Sequence, residues 1–296
     1  ANSVDYNPDL DQIIINIPTF GEFWIIDHNT TIAEAATDTG GFSRKGGDLL
    51  YRWGNPEAYG RADTSQKIFE YQHDAHWIKP GLLDEGKIMV FNNGDVRGYS
   101  SVDIVSPPLD TNNFNNYSLA SQNLPFGPTS LDWSYSDSAN FFSRRVSSAQ
   151  RLKNDNTLIC SGFQGNLFEI EYQTDSIVWD YIVPVNIVGP ITQGAPSGGN
   201  FLFRAERFSP SYSGLTNLSL TPSTVIELNP LPSNCITYVR GCMDSLACNY
   251  NPLANLDNGS CSYPSFSEQS RVICSGDSLR VGNNVYNSSG IYIDTL

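Results

Sequence analysis

The sequence predicts an all-β protein of many short antiparallel strands, and three features predict it. The chain carries 24 Gly and 17 Pro with abundant Asn and Ser, a composition that makes turns and favours short strands over helices. Apolar runs of about five residues lie between those turns, the length of strands in an antiparallel meander. A unit of strand, tight turn and strand bearing an aromatic recurs over residues 1–230.

The first such unit reads Ile13 to Ile15, then Phe23 to Asp27, then Leu49 to Gly54 with Trp53. Ala75–Ile78, Lys87–Phe91 and Val102–Val105 supply the next strands. Gln150 to Ile159 leads into Gly165–Ile170 and then Ser176–Tyr181 with Trp179. Phe201–Arg204 and Val225–Leu228 are the last expected strands. Repeats of this kind suit a β-propeller, whose blades are four-stranded sheets of roughly 40–45 residues. Residues 1–230 then hold about five blades at that size, and a closed ring of more blades needs chain ahead of Ala1. Trp24, Trp53, Trp77, Trp133 and Trp179 are read as packing residues between sheets.

At 296 residues, 40% hydrophobic and 16% charged, the chain has enough apolar surface for a large domain and a small one. The net charge of −14 excludes nucleic acid as a natural partner, and no apolar stretch of about 18 residues is present to span a membrane. Against that acidic background, Arg44, Lys45, Arg52, Arg61 and Lys67 form a locally cationic segment suited to a small anion.

The texture changes at Leu228 to Asn234, a Pro-containing linker. Three regions are expected: 1–230, a cysteine-rich module at 231–265, and the start of a further extracellular β repeat at 266–296. Five of the six cysteines fall between Cys235 and Cys274, a density that implies disulfides and an extracytoplasmic location. Cys160, alone in an apolar run, is expected to be a buried free thiol. The oxygens of Asp244, Asn251, Asn255 and Asp257 suit a structural Ca²⁺, or else simple Asx turns. The absence of an initiator Met and signal peptide, with strand-like runs at both ends, reads as a fragment of an exported protein.

Only three histidines are present: His28, His73 and His76. His28 precedes turn-forming residues and reads as a loop anchor at the edge of a site. His73 and His76 are three apart in a strand, which puts them on opposite faces and argues against a shared metal.

Gln72-His73-Asp74-Ala75, followed by Gly86 through Phe91-Asn92-Asn93-Gly94, resembles a paired motif of the bacterial aryl-sulfate sulfotransferases. Asn2-Ser3 with Tyr6, ahead of Ile13-Ile14-Ile15, resembles that family's upstream motif. The resemblance runs over about residues 1–230. It implies a six-bladed propeller with N-terminal blades outside this chain and no required cofactor. It also implies a phenolic sulfate donor and a phenol acceptor. It makes His73 the nucleophile that carries the sulfuryl group, with Asn2 and His76 lining the site. The family's arginine after the Ile13–Ile15 strand falls on Pro18, so Arg44, Arg52 or Arg61 is expected to balance the sulfate charge. Gly241 through Asn251 with Ser260-Cys261 resembles a short repeat of exported Bacteroidetes proteins, which implies a Cys242–Cys261 staple. Cys235, Cys248 and Cys274 are left for a second bridge. The alternative is a non-catalytic cell-surface propeller for adhesion or glycan binding. A quinone-dependent propeller dehydrogenase ranks last, because residues 1–230 contain no vicinal cysteine pair.

Overall fold

The computed structural model describes residues 1–119, 121, 123–192, 199–221, 225–228, 240–254, 256–257, 260–263 and 270–293. It divides into two units, Ala1–Pro232 and Ser233–Leu296.

The first unit is built on three four-stranded antiparallel sheets. One runs β1 (Ser3–Asn7), β2 (Gln12–Ile17), β3 (Glu22–Asp27), β4 (Leu49–Trp53), each strand paired with the next. A single-turn helix α1 (Ile32–Ala35), closed by a Thr31–Glu34 capping box, sits in the long β3–β4 connection. The second sheet takes β5 (His73–Trp77), β6 (Ile88–Asn92) and β7 (Ser101–Val105). A short hairpin of β8 (Leu109–Asp110) and β9 (Asn116–Tyr117) interrupts the chain before β10 (Trp133–Ser136) completes that sheet. The third contains β11 (Ser148–Arg151), β12 (Thr157–Ser161), β13 (Asn166–Ile170) and β14 (Ile177–Ile182). A two-residue ladder, β15 (Val185–Asn186) with β16 (Gly189–Pro190), follows.

All-β architecture is therefore as expected, but there are three four-stranded sheets among the described residues where about five were expected. The reason lies in the connections. The β3–β4 and β7–β10 segments lengthen the first two sheets beyond a compact blade of roughly 40–45 residues, the long β4–β5 segment separates them, and only the third, Ser148 to Ile182, is compact. The two expected C-terminal strands are also absent. Phe201–Arg204 joins no ladder, and Leu228 makes only an isolated bridge to Thr192.

Every residue of β6 and β7 is buried, because the middle sheet packs apolar side chains from both faces. Ile88 and Val90 join Phe23, Ile25, Tyr51, Trp53 and Trp77 in one core cluster. Met89 and Phe91 join Phe141, Ile159, Phe168 and Ile170 in another. Trp53 and Trp77 thus pack between sheets, whereas Trp179 is 39% exposed on β14. Each sheet's first strand lies beside the next sheet's: β1 against β5, and β5 with β6 against β11. Three bonds tie this junction, from Ser3 Oγ to Ala75 O at 3.5 Å, Trp77 N to Asp5 Oδ2 at 3.1 Å, and Ala149 N to Asp74 Oδ2 at 3.3 Å.

One turn at the end of β6 depends on glycine. Gly94 has φ +65°, and a Cβ there would stand 1.8 Å from the Tyr99 carbonyl oxygen. Left-handed backbone costs a β-carbon residue roughly 1–2 kcal/mol, and here backbone must also move. Gly94→Ala is expected to lower unfolding free energy by at least about 2 kcal/mol, read as a lower urea midpoint at unchanged slope.

In the second unit, Cys242 and Cys261 form the expected disulfide. Cys248 and Cys274 are exposed free thiols, and Cys235 lies outside the described residues. The short strands here are β17 (Arg240–Gly241) with β18 (Leu256–Asp257), and β19 (Leu279–Val281) with β20 (Asn284–Tyr286). No helix among the described residues is long and apolar enough to cross a membrane.

Candidate active site

The segment entering β5 is held from two sides. Asn92, buried at the end of β6, accepts from Glu70 N at 2.9 Å and donates to Ile68 O at 2.9 Å. Gln72, fully buried, donates to Asn16 Oδ1 at 3.0 Å and Glu22 O at 2.8 Å. Tyr71 and Asp74 both adopt left-handed backbone, with φ 58° and 57°, and a β-bulge falls between His73 and His76.

That bulge overturns the expectation that the two histidines face opposite ways. His73 pairs with Phe91 and His76 with Met89, two residues that share one face of β6. The extra residue in β5 absorbs the odd spacing, so the imidazoles rise from the same side of the sheet. Alternation rules assume an unbroken ladder, and nothing local in Gln72-His73-Asp74-Ala75 signals the break.

His73 is 9% exposed. Its Nδ1 lies 2.8 Å from Asn93 Oδ1 and 2.9 Å from Tyr71 O. The Asn93 amide is oriented by its own Nδ2, which donates to Ser143 O at 2.6 Å and Val146 O at 3.0 Å. Two oxygen acceptors require Nδ1 to carry the proton, so Nε2 holds the lone pair. Burial pushes the imidazole below its ordinary pKa, and the bonds to Asn93 and Tyr71 with the nearby Asp74 charge oppose that shift. The ring is therefore neutral at pH 7.

His76 Nδ1 donates to Asp74 O at 2.7 Å and lies 3.6 Å from Asp74 Oδ2. Asp74 is buried, which raises its carboxyl pKa, while the charges of His76 and Arg204 pull it down. The Arg204 guanidinium pairs directly with Asp74 Oδ1.

Asn2 sits beside the segment that carries His73: its Nδ2 donates to Gln72 O at 3.1 Å, and its Oδ1 accepts from Asn16 at 2.6 Å. Pro18 follows Ile17, whose carbonyl accepts from Gln72 Nε2 at 3.3 Å. The β2 end that abuts the site thus presents no cation. The other arginines are engaged elsewhere. Arg52 grips Glu22 through Nε at 3.1 Å and Nη2 at 2.6 Å and lies over Tyr59. Arg44 covers the Phe114 ring at 3.6 Å, and Arg61 donates to Leu124 O at 3.3 Å. None shares a hydrogen bond, ion pair or ring contact with His73, His76 or Asn2 among the described residues. His28 binds Asp11 Oδ1 at 2.6 Å and edges Tyr6 at 5.0 Å, which anchors the β1–β2 turn to the end of β3.

The family's model decides what this arrangement belongs to: the arylsulfotransferase model matches residues 1–188, which contain β1 through β15. The chain is a member of the arylsulfotransferase family. No curated protein is significantly similar to it. The His73 imidazole thus has one nitrogen bonded and the other holding its lone pair, a form in which a histidine can act as a nucleophile.

Asn93 is the site residue that sequence reasoning passed over. It stands in the Phe91-Asn92-Asn93-Gly94 run within the family-matched residues, yet its contacts emerge only where residues 143–146 cross behind it. Cys160 is a buried free thiol as expected, its pKa pushed up to about 12 by burial.

In the second unit, Asp244 accepts from Leu246 N at 2.9 Å and Tyr263 OH at 2.7 Å, and Asn251 Oδ1 accepts from Leu253 N at 3.0 Å. The bonds from Leu246 and Leu253 are turn bonds, and that from Tyr263 joins residues 19 apart. No cluster of three or more His, Cys, Asp or Glu able to hold a metal is present among the described residues. Asn255 and the side chain of Asp257 lie outside the described residues.

Proton placement on His73 predicts a pH profile. If His73 Nε2 is the atom that attacks an aryl-sulfate donor, it must be unprotonated, and kcat/KM is expected to be flat at neutral pH and to fall only below the ordinary imidazole pKa. In Asn93→Asp a carboxylate beside Nδ1–H favours the imidazolium. Its acid limb is expected to move up by about 1–2 units, measured on protein shown to be folded by circular dichroism.

Proposed function

We propose that this chain transfers a sulfuryl group from a phenolic sulfate ester to a second phenol through a sulfohistidine on His73. The observation that carries the reading is the pair of acceptors on Nδ1, which leaves Nε2 nucleophilic. In the first half-reaction the Nε2 lone pair attacks sulfur, the S–N bond forms, the S–O(aryl) bond breaks, and the phenolate departs. The Nδ1 proton stays on the ring, where Asn93 Oδ1 and Tyr71 O stabilise the positive charge that develops. In the second half-reaction a deprotonated phenol attacks sulfur and Nε2 regains its lone pair.

Face-to-face packing of the three sheets, with first strands side by side, supports a propeller, and the Cys242–Cys261 disulfide supports an extracytoplasmic location. Incubation with 4-nitrophenyl sulfate and no acceptor tests the mechanism. The expected outcome is a stoichiometric burst of nitrophenolate and a sulfuryl adduct on the peptide containing His73, discharged by added phenol. No release above buffer, or an adduct elsewhere, overturns it.

Pro18 and the occupied Arg44, Arg52 and Arg61 favour a second reading, a surface propeller that binds a glycan or protein partner without turnover. That reading expects partner binding to be the same before and after His73→Ala, and a catalytic burst from the unaltered chain refutes it.

A further inference from the structure

Residues 199–207 lie beyond the family-matched 1–188, yet they run back along the nucleophile. Leu202 N donates to Gly162 O at 2.9 Å, Ala205 N to Ser148 Oγ at 3.2 Å, and Arg207 N to Gln150 Oε1 at 2.7 Å. The fit at Gly162 is close: a Cβ there would stand 2.0 Å from Leu202 O. This strap lies along the start of β11, the strand beside β5. Two consecutive residues on it reach the site. Phe203 presents its ring to His73 at 6.2 Å between centroids and 72° between planes. Arg204 pairs with Asp74, the buried residue that follows His73.

Phe203 is 53% exposed, so much of a large apolar ring stays in solvent beside a reactive imidazole. An aryl sulfate has two parts to recognise, an anionic sulfuryl group and a flat ring. An open aromatic face next to the nucleophile matches the ring, since offset or edge-to-face aromatic pairs form at centroid distances of about 4.5–7 Å. We propose that Phe203 is the specificity residue that receives the aryl group of the substrate. Arg204 is a positioning residue, which acts through Asp74 to hold Phe203 against His73. The proposal rests on the sulfuryl-transfer reading for its substrate class, and its test is separate from turnover.

The test is equilibrium binding of two unreactive anions, benzenesulfonate and methanesulfonate, to the full chain by calorimetry. Benzenesulfonate is expected to bind, and Phe203→Ala to weaken it about 10-fold while leaving methanesulfonate within twofold. Phe203→Tyr keeps the ring and is expected to retain benzenesulfonate affinity. Arg204→Gln is expected to lose about as much as Phe203→Ala, Arg204→Lys to recover most of it, and the double variant Phe203→Ala/Arg204→Gln to lose no more than either alone. Benzenesulfonate affinity unchanged in Phe203→Ala, an equal loss for both anions, or no binding by the unaltered chain overturns the assignment of Phe203. Additive losses in the double variant overturn the role of Arg204. Turnover of 4-nitrophenyl sulfate by the unaltered chain is measured separately, so failure of the sulfohistidine reading shows in turnover and failure of the aryl site shows here.

Discussion

Replacing His73 by alanine is expected to remove sulfuryl transfer from 4-nitrophenyl sulfate to phenol, with a loss of at least about 10⁴-fold in kcat. No other side chain can take over. His76 rises on the same face with its Nδ1 likewise held by a backbone carbonyl, but it pairs with Met89, further along β5 from the Asn93 amide that bonds His73. The variant also leaves Asn93 Oδ1 and Tyr71 O without the Nδ1 proton, a cost of about 1–3 kcal/mol for a buried acceptor. Rates are therefore compared on folded protein at a temperature well below its melting point. Free imidazole in the assay is expected to restore part of the rate, because it can occupy the space vacated by the ring. Full activity in His73→Ala rules out the covalent mechanism.

Asn93→Leu is expected to damage both stability and rate. Leucine fills a similar volume but removes the acceptor for His73 Nδ1 and the donors to Ser143 O and Val146 O. Buried groups left without partners predict a loss of about 2–4 kcal/mol in unfolding free energy, read by urea denaturation. Ser143 O keeps a second donor, Ser100 Oγ at 3.4 Å, which keeps the loss toward the lower end of that range. With only Tyr71 O to hold its proton, the imidazole can populate the other tautomer and rotate. The expected fall in kcat is about 10²-fold, with KM for the donor changed much less. A stability loss with kcat intact would show that Asn93 braces the loop at 143–146 without acting on the nucleophile.

Much of the fold is legible in the residues. Turn chemistry and alternating apolar positions mark β2, β3, β4, β6, β7, β12 and β13 at nearly the places where they occur. The continuous apolar run of β6 fits a strand buried on both faces. The count of sheets is not legible, because the length of a connection says little about whether it carries a strand. Phe201–Arg204 shows the same limit: its apolar pattern suits a strand, but Leu202 N donates to the Gly162 carbonyl, and Ala205 N and Arg207 N just beyond it donate to the side chains of Ser148 and Gln150 instead of a ladder.

The candidate site divides the same way. His73 and Asn2 stand out in the sequence through a family motif, and the structure places Asn2 against the carbonyl of Gln72, next to His73. Arg44, Arg52 and Arg61 stand out as a cationic run, yet each finds its partner in a segment far along the chain, Phe114, Glu22 and Leu124.

By itself the sequence determined the antiparallel strands, the Cys242–Cys261 pairing implied by a repeat motif, the buried thiol of Cys160, and the histidine around which a site is built. These depend on local periodicity, composition and short motifs, which survive without any knowledge of which segments meet. Only the tertiary structure decided that a bulge turns His73 and His76 to one face, that Asn93 sets which imidazole nitrogen is free, and that Phe203 and Arg204 return to His73 and Asp74. Each of these is a contact between distant segments, chosen by which buried polar groups can satisfy one another once the sheets have packed.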